Sequence, residues 1–452
     1  MSFTSIDFAI FLPVVFFLYW ALPAAYRWIL LLGASYYFYM SWNAKCLVLI
    51  VGISFVSWIC ALLMEKTEEH RKRTFCLAAA LVFSLGLLFI FKYLNFFLGT
   101  LDAVSAMLRL PFHPATYKIL LPVGISFYTF QSLSYVIDVY RGDVKAERHF
   151  GKYAAFVAFF PQLVAGPIER TDALLPQIKK KHTFSYETAA YGMKRMAWGY
   201  FKKLVIADTM AFYVDQVYNQ LPLFKGFALV LATFFFAIQI YCDFSGYSDI
   251  AAGAASILGI RLMTNFRSPY FATRIHDFWS RWHSSLSTWF RDYVYIPLGG
   301  NRRGELRRDI NLLLTFLVSG LWHGANWTFV LWGLLHGIMQ VAENHLFKRG
   351  RKHPRLLVFA VVCFAWIFFR ADTFADAGYV ITHLFTGITS FRAYLSEGIG
   401  ILDLNPSVRL SIALSLGLLA AYDAASLKTD VIGWVSKKPV LLRCLIYGGL
   451  IA

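Results

Sequence analysis

Long apolar segments recur along the whole chain, and they constrain its fold more than any other feature. Of the 452 residues, 58% are hydrophobic and only 15% are charged, whereas an average soluble domain carries about 25% charged residues. A soluble fold would have too little polar surface to cover so large an apolar core. A helix needs about 20 apolar residues to cross the hydrocarbon layer of a bilayer. The composition therefore predicts an all-α, polytopic integral membrane protein.

Eight segments have the length and apolar character of membrane-spanning helices: 6–22, 25–44, 46–64, 75–98, 119–139, 226–243, 355–370 and 408–425. The stretch 310–346 is long enough for two short spans with a turn near His323 and Asn326. Segments 152–168 and 246–260 are shorter and richer in Gly, Ala or Pro. Such segments are expected to be tilted, re-entrant or packed against other helices, because irregular backbone at membrane depth must be buried in protein or line a cavity.

Positive charge is concentrated in the loops between apolar segments. The net charge is +17, and the strongest clusters lie in 65–73, 141–148, 267–308 and 348–355, whereas no Lys or Arg precedes Ile6. Cytoplasmic loops of membrane proteins are enriched in Lys and Arg. We therefore expect these loops to be cytoplasmic and the N-terminus to be extracytoplasmic. The orientation of the protein in the membrane explains the positive charge without a nucleic-acid partner. Attraction to anionic membrane lipids is a second explanation.

The chain shows no internal repeat and no linker, so we expect a single membrane domain over 1–452. Region 169–203 mixes cations with apolar residues and predicts a surface-lying helix with a basic face. The last apolar run, 440–452, is too short to span, which suggests a half-helix or a truncated sequence. The six cysteines form no CxxC pair and the histidines lack metal-ligand spacing, so neither a disulfide framework nor a metal site is expected.

Two histidines, each preceded by a tryptophan, are the strongest candidates for a functional site. His283 lies in FWSRWHSSLSTWF and His323 in SGLWHGANW. A charged group at membrane depth costs roughly 3 kcal/mol or more, so an ionisable residue there is a functional candidate. The alternatives are a helix-packing imidazole at His323 and an interfacial histidine at His283, on a helix anchored by Trp279, Trp282 and Trp289.

These motifs resemble the membrane-bound O-acyltransferase superfamily, and within it the bacterial alginate O-acetylation branch. The resemblance includes FWSRWHSSLSTWFRDYVYIPLGG (278–300), SGLWHGANWTFVLWGLLHG (319–337), LPVGISFYTFQSLSYVIDVYRG (121–142), FFPQLVAGPIER (159–170) and IQIYCDFSGYSDIAAG (238–253). It implies a helical bundle with a central tunnel, in the inner membrane of a bacterial cell.

The resemblance also implies roles for both histidines. His323 corresponds to the invariant histidine of the superfamily and would act as the base that takes a proton from the acceptor hydroxyl. The position of His283 is His, Asn or Asp in relatives, so orienting the substrate or hydrogen-bonding the acyl carbonyl is its expected role. The tunnel lining would include Trp282, Trp322, Gln239, Asp243 and Asn326. Asp243 belongs to a polar cluster that either lines the tunnel or pairs with Arg281 or Arg291.

The expected donor is acetyl-CoA, a substrate rather than a bound cofactor. Arginine binds phosphate in a bidentate manner, so Arg291, Arg302 and Arg303 are candidates to hold the donor phosphates. Their alternative role is cytoplasmic positive charge alone.

The leading interpretation is therefore an O-acyltransferase that passes acetyl from a cytosolic donor towards a hydroxyl of an extracytoplasmic polysaccharide. A separate extracytoplasmic acetyltransferase partner would take part. Two alternatives remain open: D-alanyl transfer from a carrier protein to teichoic acid, and a transporter, against which the lack of inverted repeats speaks weakly.

Overall fold

The computed structural model describes residues 1–347, 350–402 and 404–451, and within them the chain forms helices and turns without strands. The helices are α1 (Ile6–Ala21), α2 (Arg27–Asn43), α3 (Leu47–Glu65), α4 (His70–Leu88), α5 (Leu94–Met107), α6 (Ile125–Arg141), α7 (Phe150–Ala158), α8 (Thr171–Lys179), α9 (Tyr186–Tyr200), α10 (Asp208–Tyr218), α11 (Phe227–Ile257), α12 (Ile275–Arg281), α13 (Ser284–Phe290), α14 (Glu305–His323), α15 (Trp327–Leu346), α16 (Arg355–Arg370), α17 (Phe374–His383), α18 (Phe391–Ile401), α19 (Pro406–Ser426), α20 (Val431–Ser436) and α21 (Val440–Ile451). The predicted all-α class is confirmed. Lys348 and Arg349, two cations of the basic segment 348–355, lie outside the described residues.

The chain is a multi-pass membrane protein. Within the described residues, four stretches are long and apolar enough to cross a membrane: Ala24–Glu65, His70–Met107, Phe227–Ile257 and Pro406–Ser426. The 310–346 run forms two helices, α14 and α15, joined by a turn at residues 324–326, as its length and turn residues predict.

Three sequence-based boundaries are wrong. Residues 246–260 are not a separate segment, because α11 continues to Ile257 through a stretch rich in Ala and without Pro. The span predicted from residue 119 begins only at Ile125, after Pro122 and after Gly124 in the left-handed region. Region 169–203 forms α8 and α9 separated by residues 180–185, rather than one surface helix.

The chain divides into two compact units. The first comprises Met1–Met193 and Ala251–Met263, and the polar face of α6 is buried in it. Gln131 donates to the carbonyl of Phe156 at 2.8 Å and accepts from Gln162 at 2.8 Å. These bonds satisfy side chains that would otherwise be costly to bury.

The second unit comprises Lys194–Ile250 and the described part of Thr264–Ala452. Its core is aromatic and includes Trp282, Trp332 and Trp366, which are at most 3% exposed. It also contains a buried ion cluster, in which Asp249 accepts from Lys202 at 2.6 Å and from Arg195 at 2.8 Å. All candidate site residues lie in this unit, whereas the expectation of a single domain stays a prediction.

Candidate active site

His323 is the last residue of α14, at the turn into α15. The two helices approach closely there, because a Cβ on Gly320 would overlap the carbonyl of Phe329 and one on Gly333 would overlap the carbonyl of Phe316. The glycines therefore permit backbone contact between the helices. This contact brings His323 beside Trp332 of α15, with 5.0 Å between ring centroids.

Aromatic rings surround the half-buried imidazole of His323. Trp322 and Trp332 meet it edge-to-face with centroids at 5.0 Å, and Phe369 of α16 lies at 5.4 Å. The opposite side of Trp332 contacts His336 at 5.0 Å. His336 accepts a hydrogen bond at Nδ1 from the indole of Trp279 at 3.3 Å, which is a packing contact between α15 and α12.

His283 lies between α12 and α13 in the left-handed backbone region, with φ 43° and ψ 53°. This conformation is uncommon for residues other than glycine, and Asn, Asp and His adopt it more readily than others. Strain of this kind costs on the order of 1–3 kcal/mol and is concentrated at functional sites. The side chain is 2% exposed and packs near Phe244 and Phe266, with ring centroids at 6.4 and 6.0 Å.

One indole, that of Trp322, is adjacent to both candidate imidazoles. The Trp322 ring is 6.3 Å from that of His283 and 5.0 Å from that of His323, in edge-to-face geometry on both sides. The fold therefore brings together two histidines from separate motifs. The continuous cavity expected between the membrane faces stays a prediction.

The other predicted lining residues fall into two groups, and the first is structural. Trp282 packs into the aromatic core against Trp366 at 5.0 Å and Phe278 at 5.5 Å. Asn326 caps α15 by accepting from Thr328 and donates to the Asp372 carbonyl at 2.8 Å. These contacts give both residues a packing or capping role, whether or not they also face substrate.

Gln239 belongs to the second group. It lies on α11 one turn after Phe236, whose ring contacts Trp366 and Phe369 at 6.4 and 6.3 Å. Its Oε1 is buried and has no hydrogen-bond partner among the described residues. A buried acceptor left unpaired is costly, so this oxygen is suited to accept a hydrogen bond from a bound molecule.

The pairing expected for Asp243 is wrong. Asp243 binds Lys203 at 2.7 Å, whereas Arg281 binds Asp277 and Arg291 binds Asp292, both at 2.7 Å. The reason is local: each arginine has a carboxylate within one helical turn, whereas Lys203 lies in the π-helical turn Phe201–Ala207, close to α11. Asp243 is therefore a member of an ion pair, and its place in a tunnel lining stays a prediction.

The candidate donor-binding arginines lie around a glycine turn. Arg302 and Arg303 are exposed, and the Arg291 side chain is 60% exposed. The turn itself is fixed, since Gly299 and Gly300 have positive φ and Asn311 of α14 donates to the Gly300 carbonyl at 2.9 Å. Contact of these arginines with a donor stays a prediction.

Sequence reasoning missed several residues around the two histidines. Trp332 is one of them, and its i, i+4 spacing to His336 on α15 could have revealed it. Phe369, Asn265 and Ser285 could not be found in this way, because their proximity depends on tertiary packing.

Chemically, the site combines two imidazoles with a water-poor aromatic surrounding. An imidazole can take a proton from a hydroxyl in the transition state and return it to a leaving group. Aromatic walls exclude water, which protects an activated acyl donor from hydrolysis. This arrangement suits acyl transfer to a hydroxyl.

Residues 147–371, which contain both histidines, match the model of MBOAT, the membrane-bound O-acyltransferase family. A probable alginate O-acetylase, AlgI, of Azotobacter vinelandii is 39% identical over 417 residues, which cover 91% of this chain and 81% of that protein. A peptidoglycan O-acetyltransferase of Helicobacter pylori is 36% identical over 408 residues, covering 81% and 76%. A teichoic acid D-alanyltransferase of Bacillus subtilis is more distant, 27% identical over 285 residues, covering 58% and 72%.

These similarities agree with the site chemistry and with the helical, multi-pass architecture. The chain is an O-acyltransferase and belongs to the membrane-bound O-acyltransferase family.

Proposed function

We propose that the protein transfers an acetyl group from cytosolic acetyl-CoA to a hydroxyl on the extracytoplasmic side of the bacterial inner membrane. The final acceptor is a polysaccharide, and a separate extracytoplasmic acetyltransferase acts with this protein. The N-terminus is extracytoplasmic and the basic 267–308 segment is cytosolic in this arrangement, in keeping with the positive-inside rule.

The observation that carries this proposal is the placement of His283 and His323 next to the same indole, that of Trp322. His323 removes the proton of the acceptor hydroxyl as its oxygen attacks the thioester carbonyl. The tetrahedral intermediate then collapses, the C–S bond breaks, and the proton passes to the leaving thiolate of CoA. A positioned base of this type contributes on the order of 10²–10⁴ in rate.

The choice of acetyl over D-alanyl rests on degree of similarity. Two O-acetyltransferases match more than four fifths of this chain at 36–39% identity, whereas the D-alanyltransferase matches 58% at 27%. The exposed cations Arg302 and Arg303 support a donor with phosphates, since arginine forms paired hydrogen bonds with phosphate oxygens.

The test offers the purified protein two labelled donors, acetyl-CoA and a D-alanyl carrier protein, together with a soluble polysaccharide acceptor. Mass spectrometry then follows release of free CoA or carrier and the acyl group on the acceptor. The proposal expects acetyl transfer from acetyl-CoA that requires His323. Transfer of D-alanine alone would show that the donor is the carrier protein and not acetyl-CoA. The absence of acyl transfer with either donor and any hydroxyl acceptor would reject the proposal.

A further inference from the structure

A chain of buried side chains ends at the imidazole of His283. Asn265 donates from Nδ2 to the Ser248 hydroxyl at 3.3 Å, and its Oδ1 accepts from the Ser285 backbone N–H at 3.2 Å and from the Ser285 hydroxyl at 2.9 Å. The Ser285 Oγ lies 3.4 Å from Nδ1 of His283. All four residues are at most 5% exposed.

The backbone fixes which way the Asn265 amide faces. The N–H of Ser285 can only donate, so the atom that it meets must be the oxygen of Asn265 and not the NH₂ group. Asn265 also accepts from the N–H of Ser284 with its own backbone carbonyl, at 2.9 Å. The first turn of α13 is therefore held at three points by one residue.

The direction of the remaining bond follows from this orientation. The Ser285 hydroxyl has one proton, and Oδ1 of Asn265, at the shorter distance, can only accept it. The Ser285 oxygen is then left to accept, so Nδ1 of His283 carries the proton that faces it. In a neutral imidazole, Nε2 is then the acceptor nitrogen.

We propose that Asn265 and Ser285 are positioning residues that hold neutral His283 in the Nδ1–H tautomer, so that its Nε2 accepts a hydrogen bond from a second hydroxyl of the acceptor, next to the attacking one. This inference rests on the proposed function for the identity of the substrate. It distinguishes between the two roles expected for His283: the imidazole orients the acceptor, and it does not donate to the acyl carbonyl. The proton of the attacking hydroxyl stays available to His323, and the contact with His283 aligns that hydroxyl.

The direct test is the tautomer itself, measured without substrate. Nitrogen-15 NMR of the full-length protein with labelled histidine, at a pH where His283 is neutral, distinguishes a protonated from an unprotonated ring nitrogen. The His283 signals are assigned as those absent from the His283→Asn spectrum. The proposal expects a proton on Nδ1 and none on Nε2, and a proton on Nε2 in the wild-type protein would overturn it even if the Ser285 and Asn265 variants failed to fold.

Kinetic variants test the role of the network. Ser285→Ala removes the acceptor of Nδ1–H and is expected to mix the tautomers and to lower kcat about tenfold with little change in KM, equivalent to the loss of one hydrogen bond. Asn265→Asp keeps the acceptor for Ser285 and should retain more activity than Asn265→Ala. Ser287→Ala is the matched control, since within the described part of the chain its hydroxyl bonds only the Trp282 carbonyl, at 3.1 Å.

The outcomes separate this inference from the proposed function. An unchanged tautomer and unchanged kcat in Ser285→Ala would reject the positioning role while leaving acyl transfer intact. An Nδ1–H tautomer that depends on Ser285, in a protein that transfers no acyl group, would reject the proposed function and keep the assignment of the network.

Discussion

At the scale of single residues, the backbone of His283 bears on its expected role. The family resemblance implies His, Asn or Asp at this position, which suggests that proton transfer is not strictly required. The left-handed backbone gives a second reason, because these are the residue types that adopt this conformation most readily. The backbone requirement at position 283 and the chemical role of its side chain must therefore be separated by experiment.

Three substitutions at this position separate the two effects. We expect His283→Gly to keep thermal stability but lose most activity, since glycine adopts the left-handed conformation freely and has no side chain. His283→Asn should keep stability and more activity than glycine, because it retains a hydrogen-bonding group. His283→Ala should lose both activity and thermal stability, with roughly 1 kcal/mol of stability lost to backbone strain. Melting and initial rates of the three proteins in one detergent provide the comparison.

A fully active His283→Gly protein would show that position 283 serves the backbone alone. Equal loss of activity in the Asn and Ala variants, with substrate binding retained, would show instead that His283 transfers protons.

At the scale of elements, the α14–α15 hairpin depends on glycine contacts. Gly333→Ala places a Cβ against the Phe316 carbonyl, which is backbone and cannot move aside easily. We expect a loss of about 1–3 kcal/mol in stability, typical of overpacking, together with reduced acyl transfer because His323 and Trp332 shift. Thermal unfolding and activity of the purified variant measure both effects.

Gly417→Ala in α19 is the control, because no atom lies within 4 Å of its added Cβ. Removing a glycine from a helix interior there should stabilise the protein by about 0.5–1 kcal/mol. Equal stability of the Gly333 and Gly417 variants would contradict the close helix contact.

A second element-scale feature is the buried carboxyl of Glu169, which accepts from the Met263 backbone N–H at 2.6 Å and is 2% exposed. Burial raises its pKa from 4.5 to about 7. The folded state thus binds this proton more tightly than the unfolded state, so its contribution to stability is full below pH 4.5 and is lost as pH rises towards 7.

Glu169→Gln keeps an acceptor for Met263 but cannot ionise. We therefore expect the melting temperature of the variant, relative to wild type, to rise between pH 5 and pH 8. A difference that is constant over this range would show that Glu169 is already ionised at low pH in the folded protein.

At the scale of the whole molecule, charge distribution predicts orientation. A single cysteine at Arg303, in a protein whose native cysteines are replaced by serine, should react with an impermeant maleimide only from the cytosolic side, and one at Ser2 only from outside. Labelling of position 303 from outside would contradict both the proposed topology and the proposal that the donor binds on the cytosolic side.

The sequence predicted the secondary-structure elements better than it predicted the tertiary contacts. The helical class and the α14–α15 hairpin follow from apolar length and from the turn at Gly324–Asn326, which local chemistry determines. The predicted break in α11 is wrong because Asp243 interrupts an apolar run, although the helix accommodates it by pairing with Lys203. The predicted start of α6 is wrong because Pro122 and Gly124 delay the helix within an apolar stretch.

The two histidine motifs were recognisable, but their arrangement was not derivable from spacing. Trp322 meets His283 only because α13 and α14 pack around it, and the Asn265 network joins residues from three separate segments. Contacts of this kind depend on tertiary packing, which local sequence patterns do not reveal.

The most direct test of the account is acetyl transfer by wild-type and His323→Ala protein in inside-out membrane vesicles. Labelled acetyl-CoA is added outside, to the cytosolic face, and acetyl ester is measured on hydroxyl acceptors in the lumen, with equal membrane insertion of both proteins verified. The account predicts luminal acetyl ester with wild type and a rate lower by about 10²-fold or more with His323→Ala. A His323→Ala rate equal to that of wild type would contradict the assignment of His323 as the base.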